Sequence, residues 1–258
     1  MFEGKDLLHL SNNEMRQIRG NKISMIFQEP MNSFNPVFTI SDQIAEVLML
    51  HQHMDKKAAR ARAIEMLKLT GLPAPERVAD SHPHELSGGM LQRAMIAMAL
   101  ACQPALLIAD EPTTALDVTI EAQILTLMKD LKEKTGSTIL IITHDLGVIA
   151  EVCDRVGVMY AGNIVELAAV ETIFRQPSHP YTNGLINAIP KLATIRESRL
   201  ETIPGNVPNL IYPPTGCRFH PRCSKAMEIC KKEKPGVYKL DKDHYVSCFL
   251  HADREKVS

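Results

Sequence analysis

No stretch of the 258 residues approaches the eighteen or so consecutive apolar residues that a membrane-spanning helix needs. The first residues, Met-Phe-Glu-Gly-Lys-Asp, are not a secretory signal, so a cytosolic protein is the default expectation. Charge of one sign is also lacking. The 29 lysines and arginines stand against 30 aspartates and glutamates, and a formal net charge of −1 gives no electrostatic reason to expect nucleic acid as a partner. Internal repeats and low-complexity tracts are absent. So is any G-x-x-x-x-G-K-[ST] segment: Gly4-Lys5 is followed by Asp6, without the upstream glycine or the hydroxyl residue of that phosphate-cradling loop.

What is present suits an α/β chain with a sizeable core, since 45% of the residues are apolar. Residues 21–27 read as a strand delivering Gln28 to its carboxyl end. Helical patterns follow over 41–50 and 55–70, the second stopped by Gly71 and Pro73. A helix from about 89 to 102, dense in Ala, Met and Leu, has to be largely buried. Beyond it, strand 106–109, helix 118–134, strand 138–143 and helix 146–152 alternate as a parallel sheet with crossover helices does. Both strands are apolar without alternation, which predicts cover on both faces. Residues 156–160 and 163–166 predict a hairpin turning through Ala161-Gly162. After Gln176 prolines recur at 177, 180, 190, 204, 208, 213 and 214, and a boundary is expected there.

Four short segments carry the chemistry. Leu86-Ser87-Gly88-Gly89-Met90 runs into a helix, whose amino end offers unpaired N–H groups and a positive dipole to an anion. Glycines 88 and 89 allow close backbone approach, and Ser87 adds a hydroxyl; a plain N-cap and tight turn satisfies the same residues. Asp110-Glu111-Pro112 ends one apolar strand and His144-Asp145 follows another, the usual place for ligand contacts in parallel sheets. A solvated turn and a structural histidine are the bland alternatives, and Gln28 alone reads equally as a solvated loop residue.

In this order and spacing the segments resemble the ATP-binding subunit of ABC transporters, from about Phe2 to the tail. The resemblance makes Ser87-Gly88-Gly89 the signature, Asp110-Glu111 the Walker B pair, Ala115-Leu116-Asp117 the D-loop, His144 the switch histidine and Gln28 the Q-loop glutamine. It implies ATP and Mg²⁺ as ligands. Glu111 is then the general base and His144 a contact of the γ-phosphate, while Asp110 and Gln28 help to hold Mg²⁺; Asp117 joins the nucleotide-binding set. It also implies a second ATPase subunit arranged head to tail, so that Ser87, Gly88 and Gly89 serve the partner's nucleotide. Met90 departs from the glutamine of many family members and cannot donate as glutamine does. With no phosphate loop, the chain resembles a domain that begins at the strand after the phosphate-loop helix, either a fragment or a degenerate subunit.

The last third is more specific. Ser178-His179-Pro180-Tyr181-Thr182, Ile203-Pro204-Gly205-Asn206-Val207-Pro208 and Gly216-Cys217-Arg218-Phe219-His220-Pro221-Arg222-Cys223 resemble the carboxyl-terminal extension of dipeptide and oligopeptide importer ATPases, with nickel importers close relatives. Of six cysteines, Cys102 and Cys153 read as small buried hydrophobes. Cys217, Cys223, Cys230 and Cys248 cluster with spacing C-x5-C-x6-C-x17-C, which lacks paired C-x2-C knuckles. Four thiolates suit iron–sulfur or zinc. The resemblance favours a [4Fe-4S] cluster, with Arg218, Arg222, Lys225, Lys231 and Lys232 near enough in sequence to offset its charge.

The expected fold is therefore an α/β ABC-type nucleotide-binding domain, a RecA-like parallel sheet plus helical subdomain, truncated at its amino end, over residues 1–176. Residues 36–100 form the helical and signature part, and 177–258 an irregular cysteine-containing extension. The expected role is the ATP-binding subunit of a peptide importer at the cytoplasmic face of the membrane. Gln28 and residues 36–75 would touch transmembrane permease subunits, and a peptide-binding protein would act indirectly. The rival expectation is a non-catalytic subunit lending its signature to another ATPase; a metal-binding interaction module built on the tail ranks below both.

Overall fold

The computed structural model describes residues 1–113, 118–189 and 202–257, in two compact units, Met1–Val148 and Ile149–Ser258. In the first unit several helices start where a side chain satisfies free N–H groups. Ser11 caps α1 (Asn12–Ile18), accepting from the Glu14 N–H while the Glu14 carboxylate accepts from the Ser11 N–H at 2.9 Å. After strand β1 (Ile23–Ile26) and the short α2 (Pro30–Ser33), Thr39 caps α3 (Ile40–Gln52) and Asp55 caps α4 (Lys56–Leu69). Helix α5 (Pro75–Asp80) precedes α6 (Gly88–Leu100), capped by Ser87. Then come β2 (Leu106–Asp110), α7 (Val118–Thr135), β3 (Thr138–Ile142) and, running up to and past the unit boundary, α8 (Leu146–Val152).

The three strands form a parallel sheet in the order β1-β2-β3. Ile26 stands opposite Ala109, and Asp110 opposite Ile142. Helix α6 packs against α2, α3, α4 and β1. Its Leu91, Met95 and Ile96 are fully buried with Ile26, Ile44, Leu48, Leu67 and Leu107 in one cluster, each worth about 1.5–3 kcal/mol by burial. The expectation that both later strands are covered on two faces is corrected. β2 is buried on one face and half-buried on the other, while β3 leaves Leu140 and Ile142 51% and 47% exposed. Among the described residues β3 is the edge of its sheet, with β2 its one partner, so apolar side chains without alternation put half of their number outward.

The second unit is an antiparallel sheet in the order β4-β5-β7-β6-β8, from β4 (Arg155–Tyr160), β5 (Asn163–Ala169), β6 (Val237–Asp241), β7 (His244–Val246) and β8 (Glu255–Val257). The predicted hairpin forms, turning through Ala161 and Gly162, both with positive φ as a tight two-residue turn requires. The boundary expected at 176 lies inside this unit, since β5 before it pairs with β7 after it. After α9 (Val170–Arg175), the tail is thus less irregular than its prolines suggest: three of its segments join the sheet, and α10 (Pro180–Asn187) and α11 (Glu228–Lys232) add helical turns. Tyr160, Tyr181 and Phe219 pack ring to ring, with centroids 4.7–5.4 Å apart.

One buried carboxylate ties these pieces together. Glu166, on β5, is 1% exposed and accepts from the Ser178 N–H at 2.8 Å and the His179 N–H at 2.9 Å; His244 Nε2 on β7 lies 2.9 Å away. The His179 ring is itself buried, its Nδ1 accepting from the Tyr181 N–H at 3.0 Å, which requires an unprotonated nitrogen. Burial lowers its pKa from 6.5 to about 4, against the opposing pull of Glu166. Because the folded value lies below the unfolded one, the unfolded chain takes up the proton first. Stability from this group is complete above about pH 6.5 and is lost as the pH falls toward about 4, by about 3 kcal/mol in all. Urea unfolding between pH 7 and 4 should show this slope in the wild type and lose it in His179→Asn, which keeps a capping oxygen. Equal slopes in both would remove the assignment.

Candidate functional site

The parallel register brings the carboxyl ends of three adjacent strands side by side. Each end carries one of the polar residues singled out by sequence: Gln28 two residues after β1, Glu111 immediately after β2 and His144 two residues after β3. They meet on the Glu111 carboxylate. Gln28 Nε2 donates to Glu111 Oε2 at 2.8 Å, and His144 Nδ1 lies 3.2 Å from Glu111 Oε1. The Glu111 side chain is 24% exposed and that of His144 78%, so the group opens to solvent. Asp110 ends β2, half-buried, beside this trio.

Glu111 is held in an uncommon backbone conformation. Its φ is +44°, in the left-handed region, although it is not glycine and precedes Pro112, a position that sterics push toward extended geometry. Such a residue costs about 1–3 kcal/mol and persists where its surroundings enforce it. The Glu111 N–H donates to the Ile142 carbonyl at 2.8 Å. On the other side, Gln92 of α6 donates from Nε2 to the Pro112 carbonyl at 2.6 Å. Gln92 is only 3% exposed and was not assigned a role from sequence. The signal was there: an amide on a helix whose neighbouring positions, Leu91, Ala94, Met95 and Ile96, are apolar and buried.

Ser87, Gly88 and Gly89 are placed as the sequence suggests, at the start of α6. Ser87 Oγ accepts from the Met90 N–H at 3.4 Å. Ser87 and Gly88 are exposed, and a Cβ on Gly88 would meet nothing within 4 Å. No hydrogen bond joins these three to Gln28, Glu111 or His144 among the described residues. Among the described residues nothing crowds a side chain at 88. Met90, lacking glutamine's donors, packs against the core instead. Asp117 lies outside the described residues.

In the second unit Cys217, Cys223, Cys230 and Cys248 all line one cavity of about 10 Å³, together with His179, His220 and Phe249. That is room for about one water. All four are free thiols. Burial pushes Cys217 and Cys223 up and Cys248 to about 11. The four thiols thus share one cavity, but among the described residues no group of three or more histidines, cysteines or acids is placed to hold a metal ion. Of the basic residues expected near the thiols, Lys225 lines the cavity, whereas Arg218 donates to the Ala161 carbonyl and Arg222 to the carbonyls of Ile203 and Pro204. Cys102 is buried, as expected, and Cys153 half-buried.

Residues 1–114 match the family described as ABC transporter, and residues 165–230 match the oligopeptide/dipeptide transporter C-terminal region. The chain is 55% identical over 258 residues to the oligopeptide transport ATP-binding protein OppD of Bacillus subtilis, covering 100% of this chain and 72% of that protein. It is 50% identical over 254 residues to the dipeptide transport ATP-binding protein DppD of the same organism, covering 98% and 76%. Among solved structures it is similar to a dimeric ATP-binding cassette in a post-hydrolysis state bound to ADP and Pi, with a TM-score of 0.57 and 34% identity over 63% of this chain and 68% of that one.

The cap geometry separates folding from any ligand role of Ser87. Ser87→Ala should cost about 0.5–2 kcal/mol in urea unfolding, as loss of an N-cap does. Ser87→Asp should retain most of that stability, since Asp caps a helix as well and favours its positive end, while its charge repels an approaching phosphate. Destabilisation by Asp equal to that by Ala would show that the hydroxyl is not acting as the cap.

Proposed function

The chain belongs to the ATP-binding proteins of ABC transporters in the oligopeptide and dipeptide group, and from that membership we propose that it couples ATP binding and hydrolysis to peptide import at the cytoplasmic face of the membrane. The observation that carries this reading is the meeting of Gln28, Glu111 and His144 at the ends of three adjacent parallel strands. A carboxylate there can accept a proton from an attacking water as general base. Gln28 donates to one of its oxygens and His144 lies beside the other; a carboxylate has about four lone-pair sites, so these contacts leave room for that proton. The exposed, hydrogen-bonding ring of His144 can turn to a phosphoryl oxygen. Asp110 and the Gln28 side-chain oxygen are hard donors of the kind Mg²⁺ takes, and bound Mg²⁺ supplies charge neutralisation to the transferred phosphoryl group. Among the described residues no helix is long and apolar enough to cross a membrane; transmembrane permease subunits and a peptide-binding protein complete the proposed assembly.

The 258 residues contain no G-x-x-x-x-G-K-[ST] loop, and positioning of the phosphates carries most of this catalysis. We therefore expect the 258 residues alone to release no phosphate from Mg-ATP above background. Clear turnover abolished by Glu111→Gln would overturn that. The outward-facing Ser87 and Gly88 favour a second reading, in which this subunit lends its signature to a partner's nucleotide. In the assembled transporter the two separate. Loss of about 100-fold or more in turnover from Glu111→Gln supports an active site built on this chain, whereas loss from Ser87→Arg with Glu111→Gln silent supports the lending role.

For the tail we propose that the four converging thiols take up a thiolate-bound metal, [4Fe-4S] ahead of zinc, which requires the thiols to deprotonate and the cavity to open. The shared lining supports this reading and the present geometry does not. Anaerobically purified protein should be brown, with iron and sulfide lost in Cys230→Ser; a colourless protein with one zinc per chain selects zinc instead. Neither iron nor zinc by elemental analysis would defeat both.

A further inference from the structure

The loop after β2 raises a question that the trio of polar residues does not answer: what holds Glu111 in a backbone conformation that its neighbours oppose? Pro112 has no N–H, so its carbonyl is the one polar backbone group it offers. That carbonyl accepts from Gln92 at 2.6 Å. An amide buried to 3% exposure is costly unless it is bonded, and Gln92 finds this partner twenty residues away in sequence. Its helix is anchored in turn. The adjacent Arg93 donates to the carbonyls of Thr70 and Gly71 and to the Gln123 side chain, so α6 is fastened to the end of α4 and to α7.

We propose that Gln92 is a positioning residue for Glu111, its buried amide fastening the backbone that carries this carboxylate to the helix that begins with Gly88 and Gly89. The inference rests on the catalytic reading of Glu111 given above. With Ser87 at one end of α6 and Gln92 about one and a half turns on, a displacement of the helix start is carried to the Glu111 loop through a rigid segment and one hydrogen bond. Whatever occupies the signature of this subunit thereby acts on the placement of its own base.

The readout is the environment of Gln28 and His144, which touch Glu111 but not Gln92. In the 258-residue chain with labelled glutamine side chains and histidine rings, Glu111→Ala first defines the NMR positions of the Gln28 amide and His144 ring when the carboxylate is gone. Gln92→Met keeps the volume and removes the donor. It should move both signals at least halfway to the Glu111→Ala positions while the circular-dichroism spectrum stays that of the wild type. Gln92→Asn, which keeps an amide one methylene short, should move them less. Wild-type positions in Gln92→Met overturn the proposal, as does a Glu111→Ala variant that leaves both signals unmoved. If Gln92→Met and Gln92→Asn both unfold, Gln92 is a folding residue and the proposal falls. None of these measurements needs turnover. Failure of the ATPase reading would show instead as assembled transporter indifferent to Glu111→Gln, whatever the signals do.

Discussion

Parallel pairing of β1, β2 and β3 is the constraint from which the rest of the first unit follows. Parallel strands run in the same direction, so their carboxyl ends lie along one border of the sheet. The register, with Ile26 beside Ala109 and Asp110 beside Ile142, keeps those ends level. Only because of that do a glutamine, a glutamate and a histidine separated by 83 and 33 residues come within hydrogen-bond distance. A shift of one residue in either ladder would turn the side chains to the opposite face. The buried cluster around Ile26, Leu107 and α6 opposes such slippage, since a slipped strand would carry its buried side chains into solvent.

Much of this was legible in the sequence. Apolar runs ending at Gln28, Asp110-Glu111 and Thr143-His144 marked strands and placed polar residues at their ends; Ser87 before a helical pattern marked a cap. The illegible parts depend on tertiary context. Nothing in Thr138–Ile142 says whether a neighbour covers its second face, so the exposure of Leu140 and Ile142 required the fold. The positive φ of Glu111 defies its residue type and the proline after it. The sheet strands of the tail were obscured by prolines, because β6, β7 and β8 are short and their one link to β5, through β7, spans about 80 residues.

Glu166 shows the same limit in the second unit. In sequence it is one acid between Val165 and Leu167. In the structure it is buried and gathers Ser178, His179 and His244. A buried carboxylate is costly unless its oxygens are hydrogen-bonded, and here two backbone N–H groups and an imidazole do so. The acid stays inward because the tail folds over that face and supplies the donors. Phe219 and the Tyr160–Tyr181 pair then pack in the same cluster, so a polar anchor and an aromatic one fasten the same stretch of tail.

The raised thiols of the tail bear on how fast anything can react there. With Cys248 near 11, its thiolate fraction at pH 7 is about one in ten thousand. Thiolate is the nucleophile that attacks alkylating agents, peroxide and disulfides, so this sulfur is chemically slow despite sitting among three others. The cavity walls thus act as a kinetic shelter for Cys217, Cys223 and Cys248, slowing cross-linking from these sulfurs by withholding the nucleophile. An electrophile small enough to enter meets neutral sulfur at these three, and alkalinity, more than exposure, sets the pace of their modification.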